Sequence, residues 1–251
     1  MTGPRARRPS WPGAVAAIVV KDFRQYYAKA PVISWGLLFP VTLVILLGYY
    51  GAGMGSWRII PGLLAIALLF ASSSMAQVVV SFDKMSGGLE LLIHSPVPGS
   101  AIVVAKSIGG VAMGLIGSSV AAVVLYLLTG SLPLVHPWFL VAGLVLGSFT
   151  FTFIGVGLAI MLEPVQAVAA LNFLRFTMIF FGGLLPSTAI PSLLKPIVYA
   201  LPMAYVSDLI RYGTFNTYEF ADPVTSLLAA TIYFLAASLV ASKITLDSLM
   251  P

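Results

Sequence analysis

Six apolar stretches, each long enough to cross a bilayer as a helix, take up most of this chain: Pro31–Tyr50, Ile59–Val80, Ala101–Thr129, Pro137–Leu162, Val165–Leu185 and Pro223–Ser242. A spanning helix needs about 20 mostly apolar residues, and every stretch meets that length. Their polarity does not alternate along the chain as in an outer-membrane barrel. Of the 251 residues only 8% are charged and 59% are hydrophobic, against about 25% charged in a soluble domain. A water-soluble fold is excluded, and the fold class expected is an all-α polytopic membrane protein. With no cysteine, disulfide frameworks and thiol catalysis are excluded as well.

The basic residues orient the spans. An even number of crossings puts both termini on one side. That side holds Arg5, Arg7, Arg8, Lys21, Arg24, Lys29, Lys84, Lys106, Arg175 and Lys243, and the other holds Arg58, Lys195 and Arg211, together the 13 Lys and Arg of the chain. By the positive-inside rule both termini face the cytoplasm, as expected of a multi-pass protein of the plasma or inner membrane. The net charge of +5 is what this topology and anionic headgroups require; it calls for no nucleic acid.

Residues 1–30 form a cytoplasmic N-terminus. The run Ala14–Val20 is at the short limit for a signal peptide, and Lys21-Asp22 follows without a convincing cleavage site. Helical spacing instead puts Val15, Val19, Phe23, Tyr26 and Ala30 on one face, with Lys21, Arg24 and Gln25 on the other. This predicts an elbow helix in the headgroup plane that turns into the first span at Pro31. Residues 31–251 are then the spanning domain. Gly110 with Gly114, Gly143 with Gly147, and Gly155 with Gly157 permit close helix packing.

Two segments interrupt the apolar pattern. Asp83–Lys106, reading DKMSGGLELLIHSPVPGSAIVVAK, is a polar shelf on the cytoplasmic side, with a short amphipathic helix expected over about 83–96. The segment 187–213 is long enough to cross, but Pro191, Pro196 and Pro202 break it. Backbone broken in this way is tolerated at membrane depth only where protein or water covers it. We therefore expect a re-entrant outer hairpin; a seventh crossing would strand Lys243 on the wrong side.

The order of these motifs resembles the ABC type-2 exporter permeases. The shelf Gly87-Gly88-Leu89-Glu90-Leu91-Leu92, then Ser95-Pro96-Val97 and Lys106, is similar to that family's G-T-L-E-x-L loop, Ser/Thr-Pro break and lysine at the root of the third span. Gly88 departs from the usual threonine. The exit of the fifth span, Gly182 to Pro186, then Ile190-Pro191, Leu201-Pro202, Tyr205 and Arg211, is similar to the family's G-x-x-x-P…L-P…P-x-x-Y…R pattern. The resemblance covers essentially the whole chain.

The resemblance implies a permease subunit of an ATP-driven exporter, working as a homodimer or paired with a similar permease. Its coupling helix docks on a separate ATP-binding subunit through Gly87, Leu89, Glu90, Leu92, Ile93 and Pro96. Pro186, Pro191, Pro202, Tyr205 and Arg211 belong to the outer hairpin. The chain is then not itself an enzyme and binds no cofactor; ATP and Mg belong to the partner. The residues agree. In Gly99–Ser107, Ala105 stands where a phosphate loop G-x-x-x-x-G-K-[ST] needs glycine, and Gly99 is one residue too far from Lys106. Glu90 and His94 are too few for a metal site, so no metal is expected, and His136 reads as structural.

Polar and aromatic residues within spans mark a possible translocation path: Ser73 and Gln77 in the second span, and Asn172, Phe173 and Phe176 in the fifth. Arg175 would cost about 2.5–3.5 kcal/mol at mid-bilayer on insertion scales. It is expected to snorkel to the inner headgroups, in preference to turning towards Glu163. The alternatives are a secondary transporter and a membrane-embedded enzyme. The first calls for an internal repeat or mid-span carboxylates, the second for convergent catalytic groups; Ser72–Ser74, His94 and His136 are too scattered along the chain to supply them.

Overall fold

The computed structural model describes residues 10–27, 29, 33–34, 38–50, 56–184 and 186–247. Arg5, Arg7 and Arg8, together with Ala30 and the turn at Pro31, lie outside the described residues.

The elbow forms as helix α1 (Trp11–Asp22), with Pro12 in its first turn where the ring costs no hydrogen bond. A π-helical turn follows over Phe23–Tyr27. Its buried face differs from the expected one. Val15 and Tyr26 are buried and Val19 is packed at the margin, but the stripe runs through Ala14, Ile18 and Asp22, while Phe23 is 40% exposed. The cause is tertiary: α1 packs on Ala101, Ile102 and Ala105 of the third span. Trp11, Val20 and Phe23 remain exposed on its opposite side.

Helix α2 (Phe39–Tyr50) lies within the stretch expected as the first span. Then come α3 (Ser56–Met85), α4 (Gly88–Ile93), α5 (Gly99–Thr129), α6 (Pro137–Met161) and α7 (Pro164–Met178), the last continued by a π-helical turn Ile179–Leu184. After the hairpin comes α10 (Pro223–Asp247). Five of these stretches are long and apolar enough to cross a membrane: Ile60–Met85, Gly99–Thr129, Pro137–Met161, Pro164–Leu184 and Pro223–Ile244. The chain is an all-α polytopic membrane protein. Its centre is α3, whose most apolar window is 94% buried against 17% for α10 at the periphery.

Small residues let the other helices close on α3. A Cβ on Gly114 of α5 would stand 2.7 Å from Ser72 Cβ, and one on Gly155 of α6 would stand 2.5 Å from the backbone oxygen of Ser73. Gly143 and Gly147 make the same approach to the hairpin, against Leu209 and Val206. Gly157 faces comparatively open space, with Ile244 Cδ1 at 3.9 Å.

The polar shelf is shorter than the sequence suggests. The helix α3 runs on through Asp83 and Lys84, and α5 begins at Gly99, leaving residues 86–98 as the connection. Asp83 and Lys84 can sit in a helix end because both find partners in the fold: Asp83 binds Lys21, Tyr26 and Lys106, and Lys84 Nζ donates to the carbonyls of Ile160 and Leu162. Those two carbonyls close the C-terminus of α6, where a cation is favoured.

The hairpin comprises single 3₁₀ turns at Ser187–Ala189 and Ser192–Leu194, then α8 (Lys195–Tyr199) and α9 (Pro202–Phe215). Pro186 and Pro191 each precede a turn, and Pro202 opens α9 after a bend of 83°. Both ends of the segment are tied at the same end of the bundle. Ser187 donates to Glu219, and the Gly213 carbonyl accepts from the N–H groups of Val135 and His136. Between them α9 climbs back alongside α6, from Val206 against Gly147 to Gly213 against Leu140. This is a dip and return. His136 is structural here, bonded to Asn216 at 3.0 Å and stacked on Tyr212.

The hairpin's broken backbone is held by buried polar groups. Asp208 accepts the N–H groups of Glu219, Phe220 and Ala221 at 2.7–2.9 Å and pairs with Arg211 at 2.7 Å. Tyr205 donates its hydroxyl to the Tyr199 carbonyl across the bend.

Candidate functional site at the elbow, the coupling helix and the α3–α7 groove

Gly87 separates α3 from α4 in the left-handed region, at φ 71°. Open space surrounds the position where its Cβ would be, so the demand for glycine there is torsional. Its neighbour Gly88 lies over the acid below, where a Cβ would come within 3.1 Å of Asp83 Oδ1. From this turn α4 lies across the bundle end. Glu90 sits in its first turn, where the helix dipole favours a carboxylate. The Ser95 hydroxyl donates to the Leu92 carbonyl at its end, and Pro98 starts α5.

The faces of α4 differ from those expected. Leu89 turns inward against Ala76, Val80, Val156 and Ala159, and Leu92 leans on the elbow cluster. These leucines are covered by their own chain, because the spans close beneath a six-residue helix. Glu90, Leu91, His94 and Pro96 are exposed, Leu91 by 75%. The side chain of Ile93 lies outside the described residues. The open face is therefore Glu90–Leu91–His94, and Leu89 and Leu92 anchor it.

Beneath α4 lies a cluster that sequence reasoning missed. Lys106 is 2% exposed; its Nζ meets Asp22 at 2.8 and 2.9 Å and also bonds to Asp83. Lys21 reaches both oxygens of Asp83 at 2.8 Å and Asp22 at 3.2 Å, and the Tyr26 hydroxyl donates to Asp83 at 2.6 Å. Two acids thus face two bases, with Asp22, Asp83 and Lys106 buried and Lys21 partly exposed. Burial pulls the Lys21 pKa down, but hydrogen bonding to Asp83 and attraction to both acids outweigh it, and the net shift is upward. For Tyr26, burial and the bond to Asp83 both push the phenol up.

The cluster fastens α1, its π-helical turn, α3 and α5 into one body just behind α4. Local slippage of these elements would strand buried charges. The available signal was Lys106 itself, a cation seven residues into an apolar helix. What the sequence lacked was the pairing, since Asp22 and Lys106 lie 84 residues apart.

The path residues divide into two groups. Ser73 and Gln77 are buried on α3, and Ser73, Gln77 and Ser81 follow one another at intervals of four on one face, with Gln77 Nε2 donating to Ser81 at 3.0 Å. Asn172 faces Arg175, whereas Phe173 is 76% exposed and Phe176 lies half open in a T-shaped contact with Phe70. The snorkelling expected of Arg175 does not occur. Its side chain is buried, Nε donates to Ser73 at 2.9 Å, Nη1 to Asn172 at 3.0 Å, and the guanidinium lies over Phe70 at 5.2 Å. With Nε and Nη1 bonded inside the bundle and the group covered by its neighbours, the side chain does not reach for headgroups.

No curated protein matches the chain. A family model described as ABC-2 type transporter matches residues 13–215, a stretch running from the elbow through the spans to the end of the hairpin helix. Since that stretch takes in the elbow, α4 and the hairpin together, the chain belongs to the ABC-2 type transporter family, as a membrane-spanning permease.

Proposed function

We propose that the chain is the permease subunit of an ATP-driven exporter, driven through α4 by a separate ATP-binding subunit that holds ATP and Mg. The observation that carries this reading is the two-sidedness of α4. Its Leu89 side is built into α3 and α6, while Glu90, Leu91 and His94 stand open at the bundle end. A short helix with one apolar anchor and one acid suits a groove on a partner that offers a basic residue. The permease acts as a dimer with itself or a similar chain, in the cell membrane with both termini cytoplasmic. The carboxylates of Asp22, Asp83 and Asp208 are each tied to a cation, which disfavours an ion-coupled carrier. The test is co-purification with the ATP-binding subunit. A Glu90→Ala/Leu91→Asp double variant is expected to lose association and coupled ATP turnover while folding normally. Retention of both would refute the coupling assignment.

A further inference from the structure

Arg175 is placed where a cation is hardest to keep and is left incompletely satisfied. It lies near the middle of the span Pro164–Leu184, and its partner Ser73 lies near the middle of Ile60–Met85. It is 5% exposed, and its Nη2 is buried without a hydrogen-bond partner. Its bonds go to one hydroxyl and one amide oxygen. Among the described residues it forms no ion pair. Buried guanidinium groups are ordinarily neutralised by carboxylates, as Arg211 is by Asp208. Arg175 has the burial without the anion.

A route leads to it. The polar ladder Ser81–Gln77–Ser73 climbs α3 from the coupling end to the guanidinium. At the ladder's foot an open apolar cavity of about 230 Å³ lies between α3 and α7, with Gln77, Ser81, Val165 and Val168 in its wall. The recess around Arg175 and Ser73, walled by Leu171 and Met178, has no room for a water molecule. Gln77 and Val168 in the cavity wall lie one helical turn from Ser73 and Asn172, the partners of Arg175, so parting of α3 and α7 would extend the cavity towards the guanidinium, with an amphiphile's apolar portion against the valines.

We infer that the α3–α7 groove binds an amphiphile bearing a phosphate or carboxylate, whose anionic group pairs with Arg175 beside Ser73 and Asn172. The inference deepens the exporter reading by naming the chemical class of its substrate, and it rests on that reading for transport but not for binding. A planar guanidinium with a free N–H suits a phosphate or carboxylate oxygen. The hydroxyl of Ser73, already accepting from Arg175 and donating to the Leu69 carbonyl, holds the guanidinium in place.

The test uses the full chain in neutral detergent, with dioctanoyl phosphatidic acid as probe, binding read by native mass spectrometry, and no ATP-binding subunit present. Wild type is expected to bind it about tenfold or more tightly than Arg175→Gln, the usual scale for a lost charge-assisted pair. Arg175→Lys is expected to keep part of the affinity. Dioctanoylglycerol, with the same tails and no phosphate, should not compete. Competition by inorganic phosphate would identify the free anion as sufficient, and failure to compete would assign recognition to the lipid-borne group; either supports the shared chemistry. Because Arg175→Gln can fail to fold, Val168→Trp serves as a second variant. Val168 is exposed in the cavity wall, so the added ring fills the groove without crowding the core, and loss of binding is expected. Undetectable binding to wild type, equal binding by wild type and either loss variant, or full competition by dioctanoylglycerol overturns the inference. Failure here with intact co-purification of the ATP-binding subunit rejects the ligand class alone, and the reverse pattern rejects the coupling reading alone.

Discussion

Lys106 Nζ lies 2.8 Å from Oδ2 of Asp22, joining the third span to the elbow helix, with each side chain about 1–2% exposed. The same ammonium bonds to Asp83 at the end of the second span. Lys106→Met is thus expected to leave two carboxylates buried with only Lys21 to balance them. Breaking a buried pair from one side costs roughly 3–5 kcal/mol. Thermal unfolding in detergent should show a large fall in midpoint, partly restored in Lys106→Met/Asp22→Leu, which removes one stranded charge. An unchanged midpoint in the single variant would contradict the cluster.

The cluster also sets a response to alkali. Lys21 titrates above its ordinary 10.5 in the fold, and Tyr26 above its ordinary 10.0. Both contributions are complete below those ordinary values and disappear as pH rises through the raised ones. Unfolding midpoints should therefore fall more steeply above about pH 10 in wild type than in a Lys21→Met/Tyr26→Phe variant. Parallel curves for the two proteins would show that these groups do not couple to folding.

Gly155 is fixed by close approach, since a Cβ there would meet the Ser73 backbone oxygen at 2.5 Å. Because backbone cannot swing aside, Gly155→Ala should separate α6 from α3 and cost on the order of 1–3 kcal/mol by overpacking. Gly157→Ala, whose added carbon would have nothing nearer than Ile244 at 3.9 Å, is the control and should be near neutral. Chemical denaturation of the two variants side by side decides the point.

Asp208 holds the hairpin to the residues just before the last span through three backbone N–H groups and pairs with Arg211 on its own helix. Asp208→Ala is expected to leave those donors and the guanidinium without their acceptor, at several kcal/mol by the scale for broken buried pairs, about 3–5. The hairpin should then open locally before the bundle unfolds. Limited proteolysis would show new cleavage within 187–222, and an unaltered digest would argue against this anchoring.

The turns and prolines were legible because their effects are local. A proline at 202 must start or break a helix wherever it lies, and both ends of the 187–216 segment do return to one end of the bundle. The faces of α4 were not legible. Glu90 and Leu91 point outward while Leu89 points inward, and a helix of six residues has no periodicity long enough to reveal which side the spans will cover. Arg175 was misread for a related reason. Snorkelling is the cheap solution for an isolated helix, but Ser73, 102 residues away, offers a nearer partner.

By itself the sequence determined the positions of the apolar segments, the breaks between them and the family pattern they carry. Bilayer thickness and proline geometry act on contiguous residues, so contiguous residues suffice to read them. Tertiary structure decided which charges are buried together, which face of α4 stays open, and where an unneutralised guanidinium is left. Those depend on side chains brought together from 23 to 102 residues apart, and in a low-dielectric interior such pairings, more than the identity of each residue, set what a charge can do.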